Sequence, residues 1–332
     1  MPRRLRVSML SSAYILLITM LLASFSTMRA SAAVGTVRVL YAGSLVNLME
    51  NDLGPAFAKT SGIAVQGRAG GSVALAHMIL DGLQVPDVFV SADPALNTLL
   101  LHATPGRSAP WFFTLARTTM VLAYSPRSRF VAAFRDATAG LLPWYEVLGS
   151  PGLRFGRTDP RLDPKGYRTI LMLRLAERYY HQPGLEAQLL GGPENPAQTF
   201  PEEALVGRLE SGQLDAGFFY LTEVHEQRLP YVTLPDAINL GNPAMARTYR
   251  QVTYTDAAGR TYRGGPILYT VTIPSTSRNL SRAVQFVEFL YSAEGQRIFT
   301  AHGLLPVPIL VGGDPGTVPP SLRHLIRGTY EG

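Results

Sequence analysis

Two short glycine-serine turns near the amino terminus restrict what this chain can fold into. The first, Ala42-Gly43-Ser44-Leu45, follows an aliphatic run typical of a β-strand, and the second is Gly70-Gly71-Ser72-Val73. Each turn precedes a stretch whose apolar residues recur at helical spacing. The repeated order of strand, turn and helix predicts an α/β fold with both turns at the start of a helix.

Both turns have the chemistry of an anion-binding site. Glycine lets the backbone bend tightly, and the first turn of a helix has amide groups without intrahelical partners. Anions bind well to such amides. Ser44 and Ser72 can either cap a helix or donate a hydroxyl hydrogen to a bound oxyanion. Two such turns close together favour a binding site over simple capping.

Two later positions are candidates for the same site. The polar segment 157–168 contains two Asp-Pro pairs and leads into a helical pattern over residues 169–180. Asp163 therefore lies near free helix amides, where it can cap the helix or place its carboxylate in the site. Tyr220 ends a predicted strand over residues 214–221, where a tyrosine belongs either to the core or to a cleft.

The amino terminus predicts export from the cytoplasm. Residues 1–32 combine an arginine-rich start, an apolar run and the small-residue pattern Ala30-Ser31-Ala32. An uncleaved membrane anchor is the alternative, because the apolar run is long. The chain contains no cysteine, which excludes disulfides, thiolate metal sites and thiol nucleophiles.

Charge, sequence motifs and length narrow the classes of protein to which the chain could belong. The chain carries a formal charge of +6, but four arginines and no acids lie before residue 33, so the rest is close to +2. No basic stripe with interleaved aromatics is present, so we expect no nucleic-acid partner. The six histidines are scattered and no G-x-S-x-G motif surrounds the serines, which argues against an enzyme. About three hundred residues suffice for two α/β domains.

An ordered set of motifs then resembles a known family. The motifs of this set are Ala42-Gly43-Ser44-Leu45, Gly71-Ser72, Ser91-Ala92-Asp93, Asp163-Pro164-Lys165-Gly166-Tyr167-Arg168, residues 234–240 and residues 269–274. This order is similar to that of the molybdate/tungstate-binding proteins of ABC importers, and the likeness covers nearly all of the chain after the signal. It implies an α/β fold of the type II periplasmic-binding-protein class, with two crossover strands and the ligand between two lobes. Residues 33–112 and 270–332 would form lobe 1, and residues 113–269 lobe 2.

The resemblance also implies roles for single residues. Ser44 and Ser72 would bind the oxyanion from lobe 1, and Asp163 and Tyr220 from lobe 2. Asp163 could be a direct ligand to the molybdenum or tungsten of the bound oxyanion. The family's tungstate branch has a second carboxylate just before the tyrosine, but Phe219 stands there in this chain. This departure leaves four- and six-coordinate binding as alternatives.

The resemblance further implies a periplasmic or otherwise extracytoplasmic monomer without a cofactor, which delivers molybdate or tungstate to the permease of an inner-membrane ABC transporter. Other oxyanions are the alternative. A pocket carboxylate disfavours sulfate, which has no proton to share, whereas hydrogen phosphate has one. A hydrolytic enzyme on the same fold and a receptor domain that reports to a membrane sensor are further alternatives.

Overall fold

The strands alternate with helices along the chain. The computed structural model describes residues 35–104 and 108–331, so the predicted export signal lies outside the described residues. The strands, in chain order, are β1 Gly35–Ala42, β2 Ile63–Gly70, β3 Val88–Ser91, β4 Trp111–Arg117, β5 Met120–Tyr124, β6 Phe155–Thr158, β7 Thr199–Phe200, β8 Ala216–Tyr220, β9 Tyr231–Thr233, β10 Thr253–Thr255, β11 Thr261–Arg263, β12 Leu268–Thr272, β13 Leu310–Gly313 and β14 Gly328–Thr329.

The helices are mostly short. The α-helices are α1 Gly54–Ser61, α2 Ser72–Leu80, α3 Pro94–Leu101, α4 Val131–Thr138, α5 Trp144–Leu148, α6 Pro164–Tyr180, α7 Leu185–Leu190, α8 Glu202–Glu210, α9 Leu221–Glu226, α10 Ala246–Tyr249, α11 Leu280–Leu290 and α12 Ala293–Ala301. A π-helical segment spans Leu48–Leu53, and 3₁₀ turns span Gly43–Leu45, Pro243–Met245, Pro315–Thr317 and Pro320–Leu325.

Seven strands form the first sheet, in the order β14-β13-β4-β12-β3-β1-β2. β1 pairs in parallel with β2 and β3, in a register that puts Ala42 opposite Gly70. Since parallel neighbours end at the same edge of a sheet, the two glycine-serine turns lie side by side. β12 runs antiparallel to β3 and β4. The pairing confirms that the two turns start helices at one edge of an α/β sheet.

Five strands form the second sheet, in the order β7-β6-β8-β5-β9, and β10 pairs with β11 in a separate hairpin. β6 and β8 run parallel, so Thr158 and Tyr220 end their strands at the same edge. The chain passes to this sheet between Arg117 and Met120 and returns before β12. The Thr118 amide donates to the Ile267 carbonyl at 3.3 Å, so the two connections lie side by side.

These two sheets, each flanked by helices, confirm the predicted two-lobed α/β fold. The predicted lobe limits, 33–112 with 270–332 and 113–269, stay a prediction. In the structure β4 continues in the first sheet to Arg117, and β12 enters it at Leu268.

One predicted helix boundary was wrong. The helix expected from residue 169 begins at Pro164, because proline suits the first helical position and Asp163 caps it. This correction adds residues 164–168, a little over one helical turn, to the start of the helix. The segment that follows β12 forms two helices, since α11 ends at Leu290 and the hydroxyl of Ser292 caps α12 by accepting from the Gly295 amide.

Candidate functional site

Both predicted serines are buried at the ends of parallel strands. The Ser44 hydroxyl oxygen accepts a hydrogen bond from the Tyr269 hydroxyl at 3.0 Å, and that of Ser72 accepts one from the Ala92 amide at 3.1 Å. Neither caps the helix that it starts. Among the described residues neither hydroxyl donates, so each keeps a hydrogen for a ligand.

Asp163 caps α6 and also faces the other lobe. Its Oδ1 accepts from the Lys165 amide and from the Thr158 hydroxyl, both at 2.8 Å. A Cβ atom added at Gly71 would lie 3.2 Å from the Asp163 Cβ and 2.3 Å from the Leu162 carbonyl oxygen. The turn that carries Ser72 can therefore approach this closely only because residue 71 is glycine.

Arg168 connects Tyr220 with the turn that follows β3. Its Nη1 donates to the Tyr220 hydroxyl at 2.7 Å and to the Ala92 carbonyl at 2.6 Å. Burial would lower the pKa of Arg168, but Tyr220 and Asp93 raise it, so the guanidinium is charged. Burial raises the pKa of Tyr220, which keeps that phenol protonated. Since Tyr220 accepts from Arg168, its own hydrogen can be donated to a ligand.

Further contacts connect the four predicted residues with one another. The rings of Tyr220 and Tyr269 meet edge to face, with centroids 6.3 Å apart, and Tyr269 donates to Ser44. Asp163 lies against the Gly71 turn, and Ser72 is bonded to Ala92, the residue that Arg168 contacts. Ser44, Ser72, Asp163 and Tyr220 thus surround one buried centre. Their binding roles stay a prediction.

The two lobes are in contact across this centre. The Tyr167 hydroxyl donates to Asp93 Oδ2 at 2.7 Å, and Arg168 Nη2 donates to the same oxygen at 2.8 Å. The Ala74 amide donates to the Leu162 carbonyl at 3.1 Å. Because each bond joins the second-sheet side to the first-sheet side, the structure represents the closed form.

Lys165, one of two lysines in the sequence, is completely buried at the site. Its Nζ lies 2.6 Å from Glu223 Oε1 and 3.3 Å from Glu202 Oε1. Burial would lower the pKa of Lys165, but the two glutamates raise it, so the ammonium is charged. Burial and the neighbouring Asp163 raise the pKa of Glu202. Carboxylates thus outnumber the cations that face them.

Two cavities adjoin the site, and Glu202 lines both. One has a volume of about 320 Å³ and is also lined by Gly70, Gly71 and Asp163. The other, about 270 Å³, is also lined by Ser44. The Glu202 carboxylate therefore lies between the two cavities.

The Phe219 ring lies beside Lys165, whose Nζ is 5.4 Å from the ring centroid. The same ring packs in a hydrophobic cluster with, among others, Val121, Leu205 and Val224. The position that carries a carboxylate in the resembled family thus contributes to the core of the second lobe in this chain.

Glu223 lies beside Tyr220 at the site. Its Oε2 accepts from the Tyr220 amide at 2.8 Å, and its Oε1 accepts from Lys165. Glu223 is buried, and Glu226 on the same helix contacts His302 at 2.5 Å. The turn from β8 into α9 brings Glu223 back beside the strand end.

Sequence reasoning also did not assign Glu202 and Tyr269 to the site. Glu202 matched only the preference of helix first turns for acids, and Tyr269 matched only a strand. Arg168 and Asp93 stood within motifs but received no role. An acid just after a strand, as Glu202 follows β7 with one proline between them, was the available signal for a residue at the sheet edge.

Within the described ranges, no helix is both long enough and apolar enough to cross a membrane. In the same ranges, no group of three or more histidine, aspartate or glutamate side chains is arranged to hold a bare metal ion.

Comparisons with known proteins agree with the fold. The profile of the family described as bacterial extracellular solute-binding protein matches residues 37–305. A Haloferax volcanii protein named for molybdenum binding in an ABC transporter is 38% identical over 71% of this chain and 72% of its own length. The molybdate/tungstate-binding protein WtpA of Thermococcus kodakarensis is 30% identical over 88% of this chain and 87% of its own.

A solved structure shows the same architecture. The periplasmic molybdate-binding protein of Azotobacter vinelandii aligns with 82% of this chain and 99% of its own, with a TM-score of 0.54 and 21% identity. Since the family profile matches well over half of the residues, this chain belongs to the family of bacterial extracellular solute-binding proteins.

Proposed function

We propose that this protein captures molybdate or tungstate outside the cytoplasm and delivers it to an ABC transporter. The ligand is held at the buried centre between a lobe of residues 33–112 and 270–332 and a lobe of residues 113–269. Ser44 and Ser72 bind it from the first lobe, and Asp163 and Tyr220 from the second.

One observation carries the proposal: three buried hydroxyl groups accept a hydrogen bond from the protein and keep their hydrogen for a ligand. They belong to Ser44, Ser72 and Tyr220. A buried oxyanion loses its hydration and needs converging donors in its place. The amides at the start of α2 add donors of the same kind.

The candidate oxyanions differ in how they can interact with the Asp163 carboxylate. Its carboxylate faces the cleft, where sulfate offers it neither a proton nor an open coordination position. Molybdate and tungstate have a metal centre that can accept another oxygen. The names of the Haloferax and Thermococcus relatives support this choice.

Hydrogen phosphate is the competing ligand, because its proton could be donated to Asp163 or Glu202. It would be held by the same hydroxyl groups. The choice between phosphate and the metal oxyanions is therefore a matter of relative affinity.

The family supports the proposed location and partner. We infer an exported monomer that acts in the periplasm or outside the cell, requires no cofactor, and docks on a permease of the inner membrane. Residues 1–32 would direct export and then be cleaved, or would remain as an anchor.

Isothermal titration of the chain from Ala33 onward tests this function. Molybdate, tungstate, sulfate and phosphate are titrated separately into folded protein in a buffer free of all four. We expect tight one-to-one binding of molybdate or tungstate, and weak binding of sulfate and phosphate. Tighter binding of phosphate would replace the proposed ligand, and binding of none of the four would overturn the oxyanion function.

A further inference from the structure

Glu202 is buried at the contact between the lobes. It is the first residue of α8, and only 2% of its side chain is exposed. A Cβ atom added at Gly43 would lie 2.5 Å from Glu202 Oε2. The carboxylate thus reaches the turn that carries Ser44, although α8 packs on the second sheet.

The two oxygens of Glu202 differ in their partners. Oε1 lies 3.3 Å from Lys165 Nζ, whereas Oε2 is buried and no donor of the described residues reaches it. Burial and the neighbouring Asp163 carboxyl raise the pKa of Glu202. Glu223, the other glutamate at Lys165, uses both oxygens, one on the ammonium and one on the Tyr220 amide. A buried carboxylate oxygen without a partner is costly, so a free oxygen here points to a ligand.

The free oxygen lies toward the proposed binding centre. Glu202 lines the cavity with Ser44 and also the cavity with Asp163, so its carboxylate stands between these two residues. No cation other than Lys165 is paired with it in the described part of the chain. An incoming dianion would therefore meet Glu202 directly.

We propose that Glu202 contacts the bound oxyanion through its free oxygen and selects for a metal centre that accepts one more oxygen ligand. This proposal rests on the proposed function. In this chain, whose Phe219 packs in the hydrophobic core, the carboxylate that complements Asp163 comes from α8. Sulfate is rejected because its sulfur adds no further oxygen ligand.

The test compares Glu202→Gln with wild type. Glutamine keeps the shape and one oxygen that can accept from Lys165, but places an amide nitrogen where the free carboxyl oxygen lies. We expect tungstate and molybdate binding to weaken by about tenfold or more, because the metal loses an oxygen ligand. Sulfate binding should stay the same or tighten. Glu146→Gln, an exposed change on α5, is the matched control.

A second measurement reads the contact directly. X-ray absorption at the tungsten edge should count one oxygen fewer around the metal in Glu202→Gln than in wild type. If glutamine destabilises the apo protein, Glu202→Asp keeps the charge but withdraws it by one methylene, and should lose the same oxygen.

Three results would overturn the proposal. Equally weakened binding of all the anions would show that Glu202 has only a structural role. Unchanged tungstate binding would mean that the Glu202 carboxyl group donates a hydrogen bond that glutamine can replace. An unchanged oxygen count would exclude coordination. A wild-type protein that binds no oxyanion would instead defeat the proposed function, and the two failures are thereby distinguished.

Discussion

Asp163 combines two roles that different substitutions can separate. Its Oδ1 accepts from the Lys165 amide and the Thr158 hydroxyl, which orders the start of α6. Its carboxylate would also face a ligand at the cleft. Asparagine keeps an acceptor for the cap and removes the charge, whereas alanine removes both.

We expect Asp163→Asn to weaken tungstate binding by about tenfold or more, because a charge-assisted contact is lost, and to leave the melting temperature of the apo protein nearly unchanged. Asp163→Ala should in addition lower the free energy of unfolding by about 1 kcal/mol, as loss of an N-cap does. Isothermal titration and thermal unfolding measure the two effects. An asparagine variant that binds tungstate like wild type would show that Asp163 is only a cap.

Sequence reasoning found residues that stand at local junctions and missed those that meet through the fold. Ser44, Ser72 and Asp163 each follow a strand and start a helix, which a short window reveals. Glu202 meets Gly43 from more than 150 positions away. No local pattern carries that contact, so only the packing of the two lobes could disclose it.

At the scale of elements, the same reasoning found helices by their apolar spacing. The first turns of α6 are polar and contain Lys165 and Arg168, so the apolar pattern began only at residue 169 and the helix start was misplaced. These charged side chains can be buried in a helix only because carboxylates of other elements pair with them. The local sequence could not reveal those partners.

Asp87 joins three elements of the first lobe. Its completely buried side chain accepts from the backbone amide of Arg38 in β1 at 2.9 Å. It also accepts from the amides of Arg278 and Asn279, just before α11, at 3.1 and 3.2 Å. Burial would raise the pKa of Asp87, but hydrogen bonds from the Arg38 amide and from the side chains of Ser277 and Asn279 hold it below its usual value.

This shift predicts a pH-dependent stability. The folded-state pKa of Asp87 lies below the unfolded value of about 3.9. The ionised group therefore stabilises the fold above that value, and the contribution is lost as the pH falls through the folded-state pKa. Asp87→Asn should lower the free energy of unfolding at pH 7 by roughly 1–3 kcal/mol, as loss of a buried acceptor does, and by less near pH 3.

Urea unfolding at the two pH values measures the Asp87 effect. Asp136→Asn, on the exposed side of α4, is the control and should change the free energy of unfolding by less than about 0.5 kcal/mol. An Asp87→Asn penalty that stays constant between pH 7 and pH 3 would contradict the assigned role of the charge.

At the scale of the whole molecule, a second set of contacts holds the lobes together away from the binding centre. His302 Nε2 lies 2.9 Å from Asp52 Oδ2, and its Nδ1 lies 2.5 Å from Glu226 Oε1. The Thr222 hydroxyl donates to the His302 carbonyl at 2.7 Å. Asp52 follows β1, whereas Thr222 and Glu226 belong to α9 beside the second sheet. The contacts of His302 with Glu226 and Thr222 therefore join the two lobes and need them closed, whereas the contact with Asp52 lies within the first lobe.

Contacts that favour closure without touching the ligand should alter the affinity for every oxyanion alike, since they shift the equilibrium between open and closed forms. We expect Thr222→Val and His302→Ala each to weaken tungstate and molybdate binding by the same factor, about 2- to 10-fold, as loss of one or two hydrogen bonds implies. Small-angle scattering of the apo protein should give a larger radius of gyration than wild type. Thr300→Ala, exposed on α12, should change neither quantity.

A loss of affinity confined to tungstate would place Thr222 and His302 with Glu202 as selectivity residues. An unchanged affinity and radius of gyration would mean that the Tyr167, Arg168 and Asp93 contacts alone hold the closed form.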